Sequence, residues 1–385
     1  MDKDMDVINS LSDYINFINK YPSSDFVFRG ENDFFDNRIA AVFRENDGLI
    51  KDATSIEDLM SKMDSRVYVS YEGLLEKYYF SVSHMLSDID KNHFVAFARH
   101  HGLPTNLLDI TDNPLVALFM ACDGVQKDKL GYVYIFDRDY IDITDILNVF
   151  PKDNIIELLI SLNPKMIQVT YKMMINYASN HSDTFKKHLY HTVSGVLTKY
   201  ANPNYLDKII KQDVFEDMDN IALLNYLNEI IEVLSNREDY DCFKNMAEVI
   251  RENCIPAHVN ITTELTCIYM IFLPSLLDDI ARTLPLQAAV ACIPKMIYKP
   301  KNTVERARMQ YGYFIYQPYR IFYREGKAAG IYRLQEENHV KKIKINKGNS
   351  ILKELDNVGM NCGTLYGDFD NFAKYIKEKH WDVAR

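Results

Sequence analysis

The sequence predicts an α+β fold, a mixed-sheet domain assembled from both ends of the chain and interrupted by a large helical insertion. Three observations carry that expectation. Strand-like runs rich in β-branched and aromatic residues occur before residue 142 and again after residue 285. Between about Ile143 and Leu284, runs such as IIELLISL, LLNYLNEIIEVL and FKNMAEVI repeat with helical spacing. Gly (14) and Pro (12) are too scarce in 385 residues for a linker-rich or low-complexity chain. The boundaries expected are 1–142 and 285–385 for the two halves of the α+β domain and 143–284 for the helical block.

Taken in order, Val7 to Asn19 has the spacing of an amphipathic helix that stops before Pro22. Asp25-Phe26-Val27-Phe28-Arg29-Gly30 reads as a buried strand ending at an arginine. The glycine after it lets the backbone turn or lets a ligand approach closely. Ser55 to Leu86 reads as helix. The stretch from Asn92 to Cys122 is the most informative. Phe94, Val95, Phe97 and Ala98 begin a short helix ending at Arg99-His100-His101, with Gly102 suited to the left-handed residue after the helix and Pro104 blocking continuation. Leu107 to Thr111 is a buried strand, and Thr111, Asp112 or Asn113 can cap the apolar helix that runs from Leu115 to Cys122. Gly131 to Phe136 is a further strand. After the helical block, Pro294 to Tyr298, YRIFY, GIYRL and VKKIKIN read as strands, and helices close the chain at Ser350–Leu355 and Asn371–His380.

Composition restricts the function classes. A net charge of −10 argues against a protein that coats nucleic acid non-specifically, although a local basic patch could grip phosphates. The six cysteines form no Cys-x-x-Cys pair and suit free thiols in a reducing compartment. MDKDMDVINS lacks the apolar core of a signal peptide, and LTCIYMIFLPSLL is shorter than a bilayer span and contains proline. A cytoplasmic protein without membrane association is the expectation. His188 and His191 stand at i, i+3 with no nearby carboxylate or cysteine, so no metal site is expected. Walker-type and G-x-G-x-x-G loops, the G-x-S-x-G turn, H-E-x-x-H and the kinase motif set are all absent.

The chemistry-bearing candidates are few. Arg29 can present its planar fork to a phosphate or carboxylate, or pair with a core carboxylate such as Asp109. His100 and His101, adjacent at a helix end, point in different directions, so one can face a cleft while the other is structural. Asp109 between Leu108 and Ile110 requires a partner, with Arg29, Arg99 or a histidine available. If 306–310 is a strand, Arg306, Arg308 and Gln310 share a face; if it is a helix they do not. Lys295, Lys299, Lys301, Arg306, Arg308 and the lysines of 341–347 are candidates for one basic face.

Phe28-Arg29-Gly30, the block ARHHGLPTNLLDITDNPLVALFMAC and the later RARMQYGYF resemble the FRG domain family, named after its Phe-Arg-Gly motif. The resemblance covers about residues 20–140 and 290–380 and leaves out the helical block. Ile110 stands where the family usually has tryptophan. A more distant similarity is to the ADP-ribosyltransferases of the arginine-serine-glutamate class. By that analogy Arg29 and Gly30 lie at the NAD phosphates or nicotinamide ribose, and Thr111 supports the nicotinamide pocket. The glutamate of that class has no clear match, Glu305 and Gln310 qualifying by position only. The function so implied is transfer of ADP-ribose from NAD to nucleic acid or protein, in a toxin or phage-defence setting. Arg29, His101 and Gln310 are the catalytic candidates, and Arg29, Gly30, His100, Asp109 and Thr111 the NAD-binding ones. Two alternatives are a nucleotide- or nucleic-acid-binding module without chemistry, and a scaffold whose block 143–284 binds a protein partner.

Overall fold

A computed structural model of the chain describes residues 6–35, 38–44, 58, 61, 70–124, 130–200, 210–235, 241–254, 260–280, 293–301, 305–324, 327–335, 337–346 and 348–380. The N-terminal half begins with β1 (Val7–Ile8), α1 (Leu11–Ile18) and β2 (Phe26–Glu31), followed by α2 (Tyr71–Val82), α3 (Asp88–Asn92) and α4 (Phe94–His100). Then come β3 (Leu107–Thr111), α5 (Pro114–Cys122), β4 (Gly131–Asp137) and β5 (Ile141–Asp142). The expected single helix from Val7 is thus divided. Val7 and Ile8 pair in parallel with Lys344 and Ile345, and Ser10 starts α1 by accepting the Asp13 N–H at 3.1 Å. Part of the helix expected over 55–86 lies outside the described residues; from residue 70 onward it runs Tyr71–Val82.

The helical block comprises α6 (Thr144–Val149), α7 (Ile155–Ile160), α8 (Pro164–Asn180), α9 (Ser182–Tyr200), α10 (Gln212–Asp217), α11 (Asn220–Ser235), α12 (Asp241–Asn253) and α13 (Ile261–Ile280). The chain then forms β6 (Met296–Tyr298), α14 (Glu305–Met309), β7 (Gly312–Tyr316), β8 (Tyr319–Arg324), β9 (Lys327–Arg333), β10 (Lys341–Ile345), α15 (Gly348–Asn357), α16 (Cys362–Tyr366) and α17 (Phe369–His380).

One mixed sheet has the strand order β1-β10-β4-β2-β3-β7-β6-β5. Its strands come from both ends of the chain, β10 lying between β1 and β4, and β7 and β6 between β3 and β5. The helical block is the crossover between the parallel neighbours β5 and β6. Of the three successive strands expected after residue 318, only the last joins this sheet; β8 and β9 make a separate antiparallel pair.

Apolar side chains explain how the layers close. α1, α5 and α15 pack on one face, burying Tyr14, Phe119, Ile351 and Leu355 against Phe28, Val133, Ile135 and Ile343. α5 is apolar on nearly every side, and six of its nine residues are buried. It sits closer to the sheet than side chains ordinarily permit. A Cβ on Gly30 would stand 1.9 Å from the Ala117 carbonyl oxygen, and one on Gly131 1.9 Å from that of Ala121. A second apolar cluster runs without a break from Leu107, Phe314 and Tyr316 of the sheet through Phe94 and Met296 to Tyr171, Leu189, Leu227 and Phe272 of the helical block. The block therefore shares a core with the sheet.

Candidate functional site

Strands β2 and β3 are the point at which the sheet changes partners. β2 pairs over its whole length with β4, and β3 with β7, but β2 and β3 meet at a single residue pair, Phe28 with Thr111. Where they part, between Arg29–Glu31 and Asp109–Thr111, a cleft of about 460 Å³ opens. That volume is in the range of small-molecule sites, roughly 300–1,000 Å³.

Arg29 bridges the parting. Its Nε donates to Glu31 Oε1 at 2.7 Å and its Nη1 to the Asp109 carbonyl oxygen at 2.7 Å, with the Asp109 carboxylate 3.7 Å away. Of the two alternatives raised for this arginine, the pairing with carboxylates is present, and the residue also lines the cleft. Its Nη2 has no hydrogen-bond partner among the described residues. Alternation along a strand puts Arg29 and Glu31 on one face and Phe28 and Gly30 on the other.

The second wall comes from the end of α4. Gly102 takes φ +87°, the Leu103 N–H returns to the Ala98 carbonyl at 3.0 Å, and the Gly102 N–H to that of Arg99 at 3.2 Å. This Schellman closure holds Arg99 and His100 in the last turn, over the cleft. Arg99 Nη2 donates to Asp109 Oδ2 at 2.6 Å. Burial alone would raise the Asp109 carboxyl, but Arg99 and Arg29 outweigh it and hold the group below the usual carboxylate range. Arg44, at the end of a short 3-10 turn, lies in the same field; burial and then the guanidiniums of Arg29 and Arg99 lower it. The Cys122 thiol, buried in α5, is pushed up to about 12 by burial and is unsuited to nucleophilic work.

The cleft brings together Arg29, Gly30, His100, Asp109, Thr111 and Gln310. Three of them have duties different from those expected. Gly30 lies inside the strand, not after it, and its missing side chain makes room for α5. Thr111 gives its hydroxyl proton to the Gln310 carbonyl at 2.7 Å and accepts the Asn113 N–H at 3.0 Å, so its donor is already used. Gln310 donates from Nε2 to the Leu365 carbonyl at 3.1 Å, which ties the β7 side of the cleft to α16. Of the capping candidates Thr111, Asp112 and Asn113, Asn113 caps α5, accepting from the Leu115 N–H at 2.9 Å. Asp112 instead takes Arg138 and the Tyr313 hydroxyl.

His101 is not part of the cleft lining. It is exposed and rests on the Phe97 ring at a centroid distance of 4.3 Å, whereas His100 faces the cleft edge-on to Phe314 at 5.8 Å. Residues 305–309 are helical, so Arg306, Arg308 and Gln310 do not share a strand face. The basic face is also divided, because β10 and β6 are separated by four strands, β4, β2, β3 and β7. His181 and His191 rest against Tyr177 and Tyr190, and the described residues contain no cluster of three or more metal-ligating side chains.

Among the lining residues that the sequence reading did not single out, two bear directly on the cleft's chemistry. Tyr366 closes one end by donating to Asp123 Oδ2 at 2.5 Å. Glu31 is 6% exposed, yet its Oε2 has no hydrogen-bond partner among the described residues. The signal for Glu31 was its position two residues after Arg29, missed because Gly30 was read as the end of the strand. A third residue, His93, fastens the wall from behind. Its Nε2 accepts the Lys301 N–H at 3.2 Å, which leaves the proton on Nδ1 to donate to the Tyr298 hydroxyl at 2.9 Å. Burial and Lys301 lower its pKa, in keeping with a neutral ring.

Residues 24–129 match the family model of the FRG domain. The match contains β2, α4, β3 and α5, the elements that build both walls of the cleft. No curated protein and no solved structure matches the chain. No helix among the described residues is long and apolar enough to cross a membrane.

Proposed function

From the premise that this chain carries an FRG domain, we propose that the cleft binds NAD and transfers ADP-ribose from it to a nucleic acid or protein acceptor. The observation that carries this reading is the convergence of Arg29, Arg99, His100 and Asp109 on one open cleft, with Arg29 Nη2 uncommitted. Breaking a glycosidic bond to nicotinamide needs a clamp on the pyrophosphate and a fixed direction of approach at the anomeric carbon. Arg29 and Arg99 are the clamp in this reading. Ala117, Met120 and Phe314 supply an apolar wall for a flat ring. His100 takes the orienting role first given to His101, because it is the histidine on the cleft.

The test is incubation of the full chain with NAD and mixed RNA, DNA and protein, read by released nicotinamide and by the thermal shift that NAD produces. The expected result is release together with a shift, both lost in Arg29→Lys. Lysine keeps the charge and loses the fork; alanine would leave Glu31 buried without its cation. No shift at millimolar NAD would sink the reading. A shift without release would favour the binding module, to which the committed Thr111 hydroxyl and Gln310 amide also point.

A further inference from the structure

The walls of the cleft contain a buried acceptor and a buried donor that no described residue satisfies. Glu31 Oε2 and Arg99 Nε are both inaccessible to solvent, and neither has a hydrogen-bond partner among the described residues. Both residues line the cleft, and both are held through their other atoms, Glu31 Oε1 by Arg29 and Arg99 Nη2 by Asp109. Buried polar atoms in folded proteins are almost always paired, so an orphaned acceptor and an orphaned donor on two residues that line one cavity point to a group that completes them.

The charges on the walls narrow the choice. The two guanidiniums of Arg29 and Arg99 share the cleft lining with three carboxylates, Glu31 and Asp109, which they pair, and Asp123. A bare anion gains little in such a field, because each cation is already shared. A ligand that offers hydroxyl donors beside phosphate acceptors meets both needs.

We propose that Glu31 reads a sugar hydroxyl: its Oε2 accepts a hydrogen bond from the ligand while the neighbouring arginines hold the phosphate of the same molecule. The ligand class is a ribose phosphate or ribonucleotide. This rests on the reading of the cleft as a ligand site and adds the group that distinguishes a ribonucleotide from a free anion. Glu31 stands two residues from Arg29 on the same strand face.

The geometry makes Glu31→Gln a clean probe. Arg29 Nε is a donor and claims whichever atom stands at Oε1. In the glutamine variant it holds the amide oxygen there, which forces the NH₂ group to the Oε2 position, where it cannot accept. The experiment measures binding of ADP-ribose, of ADP-ribose analogues lacking the hydroxyls of either ribose, and of inorganic pyrophosphate, to the wild type and to Glu31→Gln. The melting temperature of each protein is measured alongside.

The wild type should bind ADP-ribose more tightly than pyrophosphate, and one deoxy analogue should bind roughly ten- to a hundredfold more weakly than ADP-ribose. Glu31→Gln should lose a similar factor for ADP-ribose and almost nothing for that analogue. Equal wild-type affinity for ADP-ribose and both analogues overturns the proposal without needing a variant. So does a Glu31→Gln protein that weakens all ligands equally. In either case a cleft that still binds ADP-ribose and releases nicotinamide keeps its transferase reading. Conversely, hydroxyl-dependent binding without nicotinamide release keeps the Glu31 assignment and ends the transferase reading.

Discussion

The two faces of strand β2 are built for opposite purposes. On one, Phe28 is fully buried and Gly30 is pressed so close to α5 that a methyl group has no space. On the other, Arg29 and Glu31 carry charge into a cleft, with one nitrogen and one oxygen unpaired among the described residues. A Phe-Arg-Gly tripeptide thus serves packing and ligand contact through residues that alternate by a single peptide. The difference teaches that the first face fixes the second. α5 seats against Gly30 and Gly131, which locks β2 to β4 and leaves the parting from β3 as the position where the sheet opens.

The sharpest way to break this comparison is Gly30→Ala. Its Cβ would meet the Ala117 carbonyl oxygen at 1.9 Å and the Ala121 nitrogen at 2.7 Å, both backbone atoms that cannot rotate away. Overpacking of this kind should cost about 3 kcal/mol or more, read as a large drop in denaturant midpoint or as failure to fold. A variant of unchanged stability would mean that α5 is free to shift and that the packed face does not set the open one.

A carboxylate sealed in the fold sharpens the contrast with Glu31. Glu337 is 4% exposed, lies outside the cleft, and burial pushes it up to about 7 against the pull of Lys295 and Arg333. The folded state therefore holds its proton more tightly than the unfolded one. Its stabilising contribution is full below about pH 4.5 and is lost as pH rises to about 7, a difference of up to about 3 kcal/mol. Stability measured from pH 4.5 to 8 should fall over that window, and Glu337→Gln should flatten the curve. Asp109 works in the other direction. Its lowered pKa contributes stability above the ordinary carboxylate range, lost on acidification. With its side chain 47% exposed, that contribution is at most about 1 kcal/mol.

Arg29→Lys examines the open face alone. Lysine can keep the charge opposite Glu31 but cannot bridge to the Asp109 carbonyl with a planar fork. Loss of one such charge-assisted bond should cost about 1.5–3 kcal/mol of stability, and the NAD-induced thermal shift should disappear. The smallest effect distinguishes the two histidines. His101→Ala, at an exposed site off the cleft, should change stability by less than about 0.5 kcal/mol and leave ligand binding unchanged, while His100→Ala should weaken binding. Equal loss in both variants would contradict the placement of His100 alone on the wall.

Much of this architecture is legible from local pattern. The helix end at Arg99-His100-His101-Gly102, the buried strand Leu107–Thr111 and the apolar helix after Pro114 were all readable, because caps, prolines and apolar runs act over a few residues. The alternation of strands at both ends with helices between them indicated a sheet assembled across the chain. The readings that changed depended on distant neighbours. Gly30 looked like a strand end because a glycine in a strand has no local signature separating a turn from a close approach. Only α5, some ninety residues on, reveals which it is. Thr111 looked available until Gln310 and Asn113 claimed its hydroxyl. The lysines flanking β6 and those of β10 looked like one basic face until the strand order set four strands between them.

The amino-acid order by itself determined which short segments fold as they do, and it placed an arginine, paired histidines and an aspartate in those segments. Tertiary structure alone decided which of these side chains face the same space, that Glu31 belongs with them, and that His101 does not. The physical reason is range: capping, periodicity and backbone preference act between near neighbours in sequence, whereas the cleft exists only because two strands eighty residues apart meet at one pair and then diverge.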